Sequence, residues 1–138
     1  KDFGFNMPAD TVWVSNRFMS DNPETVRAVV KGIQQAWVFT AEHPMNASFI
    51  MSSYLPEWEG QESILASDFA GDNTGLVNMT LVAEHGAGYM NPDVMKAGLE
   101  NTYRIYDITS DLYLTNWRDI FTNTFIDPAI KPTSVPWT

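Results

Sequence analysis

Asn22-Pro23-Glu24-Thr25-Val26-Arg27-Ala28-Val29-Val30-Lys31-Gly32-Ile33-Gln34-Gln35-Ala36-Trp37, closed a few residues later by Glu42-His43-Pro44, is the stretch from which the fold is read. It has the marks of one helix with both ends set. Asn22 offers an N-cap acceptor, and Pro23 fits the first helical position, where its missing N–H needs no partner. Glu24 lies near the positive end of the helix dipole. Val26, Val29, Val30, Ile33 and Trp37 recur at three- and four-residue steps and form one apolar stripe. Pro44 disfavours helix in the residue before it, so the helix is expected to stop near Glu42.

Upstream, Thr11-Val12-Trp13-Val14-Ser15 is rich in β-branched and aromatic residues and is predicted to be a buried strand. It feeds the helix through a short turn. Downstream, helices are expected around Asn46–Leu55, with Phe49, Ile50 and Tyr54 facing inward, and around Ser63–Ala70. Leu76 to Val82 reads as either strand or helix. Asn91-Pro92-Asp93 repeats the earlier start signal and opens a helix running through Val94, Met95, Leu99, Tyr103 and Tyr106. A last short helix is expected between Trp117 and Phe125. From Asp127 onward, Pro128, Pro132 and Pro136 prevent regular structure, and the tail is expected to lie along the surface. The division is thus 1–16 as a strand-bearing segment, 17–126 as a helical region and 127–138 as an irregular tail.

The 138 residues are enough for one domain, and 44% hydrophobic content can supply a core. The formal net charge of -9 argues against nucleic acid or an anionic membrane as the main partner. No apolar run approaches the roughly 18 residues of a membrane span. The chain shows no secretory signal and begins at Lys1, which reads as a processed protein or a fragment of something longer. With no Cys, this stretch offers no disulfide and no thiolate ligand.

Reactive chemistry is sparse. His43 and His85 are the only imidazoles, far apart and without ligand-spaced neighbours, so surface or structural roles are the simpler reading. Glu57 with Glu59 and Asp107 with Asp111 are pairs to be expected in an acidic chain. No catalytic residue, metal site or cofactor is assigned. Asn46-Ala47-Ser48 and Asn78-Met79-Thr80 fit the glycosylation acceptor pattern. Aromatic rings near loops can stack on planar ligands, although core packing is the ordinary role for Trp13 and Trp37.

The motifs carry a resemblance. Arg17-Phe18, the run from Asn22 to Gly32, Trp37 and the Glu42-His43-Pro44 break come first. Gly88, Met90-Asn91-Pro92-Asp93, Leu112-Tyr113-Leu114-Thr115-Asn116 and Thr122-Asn123-Thr124-Phe125-Ile126 follow. In this order they resemble the C-terminal half of a nitrate/sulfonate/taurine-type solute-binding protein, the family that includes thiamine-pyrimidine-precursor binders. Leu114 departs from the family phrase, and Trp58 to Gly88 has no counterpart in it.

The resemblance implies an α/β fold of the type II periplasmic-binding-protein kind, of which this chain would be the mostly helical C-terminal portion. Two lobes would close over a small planar or anionic solute, such as a pyrimidine, flavin, sulfonate or nitrate, and present it to the membrane permease of an ABC importer. The location implied is periplasmic or extracellular. Phe5, Asn6 and Trp13 are the nominated cleft residues, and the missing N-terminal half is an implied partner. An enzyme of the same fold, of the pyrimidine synthase or desulfinase type, is the alternative, and a plain helical interaction domain a further one. If half the fold is elsewhere, the apolar stripe of the opening helix lacks part of its cover, and the isolated chain is expected to associate.

Overall fold

In a computed structural model of the chain, residues 11–75, 79–110 and 112–133 are described. They are mostly helical. Helices α1 (Asn16–Asp21), α2 (Pro23–Glu42), α3 (Pro44–Tyr54), α4 (Glu62–Gly75), α5 (Met79–His85), α6 (Pro92–Ile105) and α7 (Leu112–Thr115) follow in order, with 3-10 turns at Pro56–Trp58 and Trp117–Asp119. Leu76, Val77 and Asn78 lie outside the described residues, and the helical alternative holds from Met79.

Helix α2 has the bounds its sequence signals set, but its start works differently. The Asn22 side chain makes no cap hydrogen bond to α2. The residue closes α1 instead, its N–H donating to the Phe18 carbonyl at 2.8 Å. Asn91, with the same Pro following, does cap: its Oδ1 accepts from the Asp93 N–H at 2.9 Å. The tripeptide is the same in kind, and only Asn91 has the extended backbone (φ -67, ψ 121) that aims the side chain at the first turn. At the other end, the His43 N–H donates to Phe39 at 2.8 Å and its carbonyl accepts from Ala47 at 2.9 Å. One residue therefore separates α2 from α3, and α3 begins at Pro44, earlier than expected.

Three sequence expectations are corrected. Thr11–Ser15 is not a buried strand. It is exposed and belongs to no strand, and there is no strand among the described residues. β-propensity expresses itself only beside another edge. Second, Phe49, Ile50 and Tyr54 point outward, while Ala47 and Ser48 are buried. Small residues let α3 approach α4 closely, and these two helices form the most extensive helix packing seen. Third, the last helix is only the 3-10 turn at Trp117–Asp119, which buries Trp117.

The core is thin. Buried apolar residues include Val26, Leu65, Val82, Tyr103 and Trp117, but Ala41, Ala47, Ala66 and Ala87 also belong to it. The largest side chain that is fully buried among the described residues is Ser48. On α2 the buried line runs through Val26, Gln34 and Ala41, with Val30 and Trp37 half-buried. Val29 and Ile33, assigned to the same stripe by sequence, are exposed at 51% and 46%.

Candidate functional site

Two regions of the surface are candidates. The first begins at Ser15, whose Oγ accepts from the Phe18 N–H at 3.2 Å and so starts α1. Before it, Val12, Trp13 and Val14 lie extended and exposed, with Trp13 at 84%. Core packing of Trp13 is thus corrected, whereas Trp37 is half-buried. Helix α1 packs on α2. Along α2, Thr25, Val29, Gly32, Ile33 and Ala36 are all exposed and uncharged. At 3.6 residues per turn they fall on one side, next to the buried line. Arg27, Lys31 and Gln35 occupy the other. An apolar arc of α2 is therefore only half covered.

Of the nominated cleft residues, Trp13 is thus displayed on the surface. Phe5 and Asn6 lie outside the described residues.

The second region is an open groove of about 380 Å³ lined by Ser52, Ser53, Pro56, Glu59 and Glu62. Its polar groups are already committed. The Ser52 hydroxyl has two acceptors for its one proton, the Phe49 carbonyl at 3.1 Å and the Glu62 carboxylate, and Ser53 Oγ donates to the Ile50 carbonyl at 2.6 Å. Glu62 Oε1 accepts from the Gly60 N–H at 3.1 Å. Backbone hydrogen bonds from Glu62 itself and from Gly60, helped by the Ser52 hydroxyl, hold the Glu62 carboxyl below the usual glutamate value. No imidazole lines the groove, and the carboxylate beside the Ser52 hydroxyl, that of Glu62, is held in its charged form by hydrogen bonds.

Both imidazoles make ring contacts. His43 lies 5.2 Å from the Phe39 ring, and His85 stacks on Tyr89 at 4.1 Å. Among the described residues no group of three or more His, Asp or Glu converges as a metal site. Glu57 and Glu59 are both exposed. The Asn46 acceptor pattern is embedded in α3, with Ser48 fully buried and its hydroxyl donating to Met45 at 2.7 Å. Asn78 lies outside the described residues.

Sequence reading missed the polar node of the molecule. Gln34 is 3% exposed. Its Nε2 donates to the Ala87 carbonyl at 2.8 Å and to that of Asp127 at 3.2 Å, while its Oε1 accepts from the Asp127 N–H at 3.1 Å. Asn123 does the same for Met90, accepting from its N–H at 3.0 Å and donating to its carbonyl at 2.9 Å. Two carboxamides therefore hold the irregular tail against the body. Ala87 N–H to Ile130 and Lys131 to the Ala83 carbonyl extend the attachment, and Glu42 accepts from Thr133. The available signal was a polar residue four positions after Val30, inside an apolar line.

A family model described as NMT1/THI5 like matches residues 1–47. The match includes Trp13, α1, all of α2 and therefore the half-covered arc. This family is consistent with solute binding and with a relation to thiamine precursors. It contains binding proteins for the most part, with enzymatic members of the THI5 kind. No curated protein and no solved structure matches the chain. Among the described residues, no helix is long and apolar enough to cross a membrane.

Proposed function

We propose that the chain is the C-terminal part of an extracytoplasmic solute-binding protein that closes two α/β lobes over a small planar or anionic solute and delivers it to an ABC importer. The observation that carries this reading is the coincidence of the family match over residues 1–47 with the uncovered apolar surface in the same residues. On this reading the Val29–Ile33–Ala36 side of α2 packs on a sheet that the missing N-terminal half supplies. Trp13, with Phe5 and Asn6, faces the cleft. An indole face suits a planar ring better than a compact anion, because it offers stacking area and no anion donors except its single N–H. Pyrimidine and thiamine-precursor rings and flavins are therefore the leading solutes, ahead of sulfonates and nitrate. Closure follows from tighter binding to the closed state than to the open one.

Isothermal titration of the full-length protein against these four classes tests the proposal. Binding of one planar class, weakened about ten-fold or more by Trp13→Ala, is expected. Failure to bind any of them overturns it, and turnover of a bound pyrimidine in place of release would assign the enzymatic reading.

A further inference from the structure

Packing among the described helices falls into two groups. Helices α1, α2, α3 and α4 pack on one another together with the turn at Pro56–Trp58, and α6 packs on α7 and on the turn at Trp117–Asp119. Among the described residues, no helix of the first group packs as extensively on a helix of the second. Residues 123–133 span the two. Towards α2, the Arg27 guanidinium lies 5.5 Å from the centre of the Phe125 ring, Gln34 makes its two hydrogen bonds with Asp127, and Glu42 accepts from both the N–H and the hydroxyl of Thr133. Towards α5 and α6, Asn123 makes two hydrogen bonds with Met90, the Ala87 N–H donates to the Ile130 carbonyl at 2.8 Å, and Lys131 donates to the Ala83 carbonyl at 2.6 Å. No residue from Asn123 to Thr133 is fully buried.

We propose that residues 123–133 are a releasable strap. Bound, it fixes the α1–α4 group against α5 and α6; released, it lets the two move as intact helical bodies. The chemistry of the attachment supports release. Its hydrogen bonds lie along a segment that is at most half-buried, so water replaces each one as it opens. The helices are held otherwise, by burial of Val26, Leu65 and Ala66 in the first group and of Tyr103 and Trp117 in the second, and that burial survives the loss of the strap. At the seam itself the buried side chain is Gln34, a carboxamide that water can satisfy once its partners leave, where an apolar residue would resist wetting. The bound position is nevertheless a fitted one. A Cβ on Gly86 would stand 2.6 Å from the Asp127 carbonyl oxygen, so the turn is shaped to admit the strap backbone. Rigid bodies joined by a few element-terminal residues are the arrangement from which hinge motion arises. This inference rests on hydrogen bonding and packing, not on the solute-binding reading.

Residue-resolved hydrogen exchange on the full-length protein is the experiment, joined to a distance measurement. Gln34→Ala touches Asp127 and the Ala87 carbonyl, and Asn123→Ala touches Met90 at the other end. If the strap leaves as one unit, Gln34→Ala should speed exchange of the Met90 N–H, and Asn123→Ala that of the Ala87 N–H, each by about ten-fold or more, while amides inside α2, α4 and α6 keep their rates. Asn123 is only half-buried, so its variant keeps the test available should Gln34→Ala fail to fold. Spin labels at Asn46→Cys and Lys96→Cys, both exposed, report the separation of α3 from α6 in the protein cleared of any other Cys. One narrow distance is expected with the strap bound, and a broadened or second population in either strap variant. Ser67→Ala, which removes an exposed hydrogen bond within α4, should change neither readout. The proposal is overturned if each variant frees just the amides it touches, if the helix amides speed up together with those of the strap, or if the distance stays single while the strap amides are freed.

Discussion

Gln34 grips Asp127 as a neighbouring β-strand would. Its carboxamide accepts from the Asp127 N–H at 3.1 Å and donates to the Asp127 carbonyl at 3.2 Å. One side chain thus satisfies the Asp127 N–H and shares the Asp127 carbonyl with the Ile130 N–H, and the same amide nitrogen reaches Ala87 at 2.8 Å. Helix α2, the turn at 86–88 and the tail meet at a single buried polar group.

Replacing that group tests how much it holds. Gln34→Leu keeps the volume but leaves the Asp127 N–H and the Ala87 carbonyl without partners, so a loss of about 2–4 kcal/mol is expected in urea unfolding. Gln34→Glu adds a pH dependence. A carboxylate facing two carbonyls favours its neutral form, so its folded pKa is raised above the unfolded one. The stability of that variant is then greatest below the unfolded glutamate pKa and is lost as pH rises through the folded value. A variant that is equally stable at pH 4 and pH 7 would refute the arrangement.

The turn beneath the tail sets a second test. Gly86 has φ +91, and a Cβ there would stand 2.6 Å from the Asp127 carbonyl oxygen and 2.9 Å from Pro128 Cα, both backbone atoms. Gly60 has φ +80 but open space around it. Gly60→Ala should cost about 1–2 kcal/mol, the backbone strain alone. Gly86→Ala should cost clearly more, because the tail must also move, and hydrogen exchange should show Ala87 and Ile130 losing protection. Equal costs at the two sites would mean that the tail is not packed on the turn.

Much of this architecture is legible in the chain. The prolines at 23 and 92 mark helix starts to the residue, because a missing N–H and a fixed φ are local properties, whereas Pro44, read only as the end of α2, also starts α3. What the sequence hides depends on distant partners. Whether Asn22 caps α2 or closes α1 is decided by its backbone angles. Whether Phe49 or Ser48 faces inward is decided by how closely α4 approaches. The stripe on α2 was read as five equivalent apolar residues, yet only Val26 is fully covered, and Gln34 holds the centre. Of the nominated cleft residues, Trp13 shows why the site is harder still to read: a ring before a helix looks the same in sequence whether it will be core or surface.

At the open groove the expectation is electrostatic. Glu62 is half-buried, and hydrogen bonds from its own N–H, from Gly60 and from Ser52 favour its charged form. Its folded pKa is therefore below the unfolded one. The contribution is present above the unfolded value and is lost as pH falls through the folded one. Titration by nuclear magnetic resonance should find Glu62 below the usual glutamate value, and Ser52→Ala should move it upward. A Glu62 that titrates at the usual glutamate value would mean that the Gly60 hydrogen bond does not persist in solution.

The uncovered side of α2 gives the sharpest test of incompleteness. In the 138-residue chain alone, Val29→Lys together with Ile33→Glu changes two exposed positions, so stability should shift by no more than about 0.5 kcal/mol at each. Association of that chain should fall, because the exposed apolar arc that drives it is broken. On the proposed two-lobed reading, the same pair of changes in the longer protein should place charges where α2 packs on the sheet, and unfolding should cost about 3–5 kcal/mol less. Opposite effects in the two forms are the expected result, measured by urea unfolding and sedimentation. If the substitutions are harmless in both, α2 faces solvent in the intact protein, and the two-lobed assembly built on its outer side has to be abandoned.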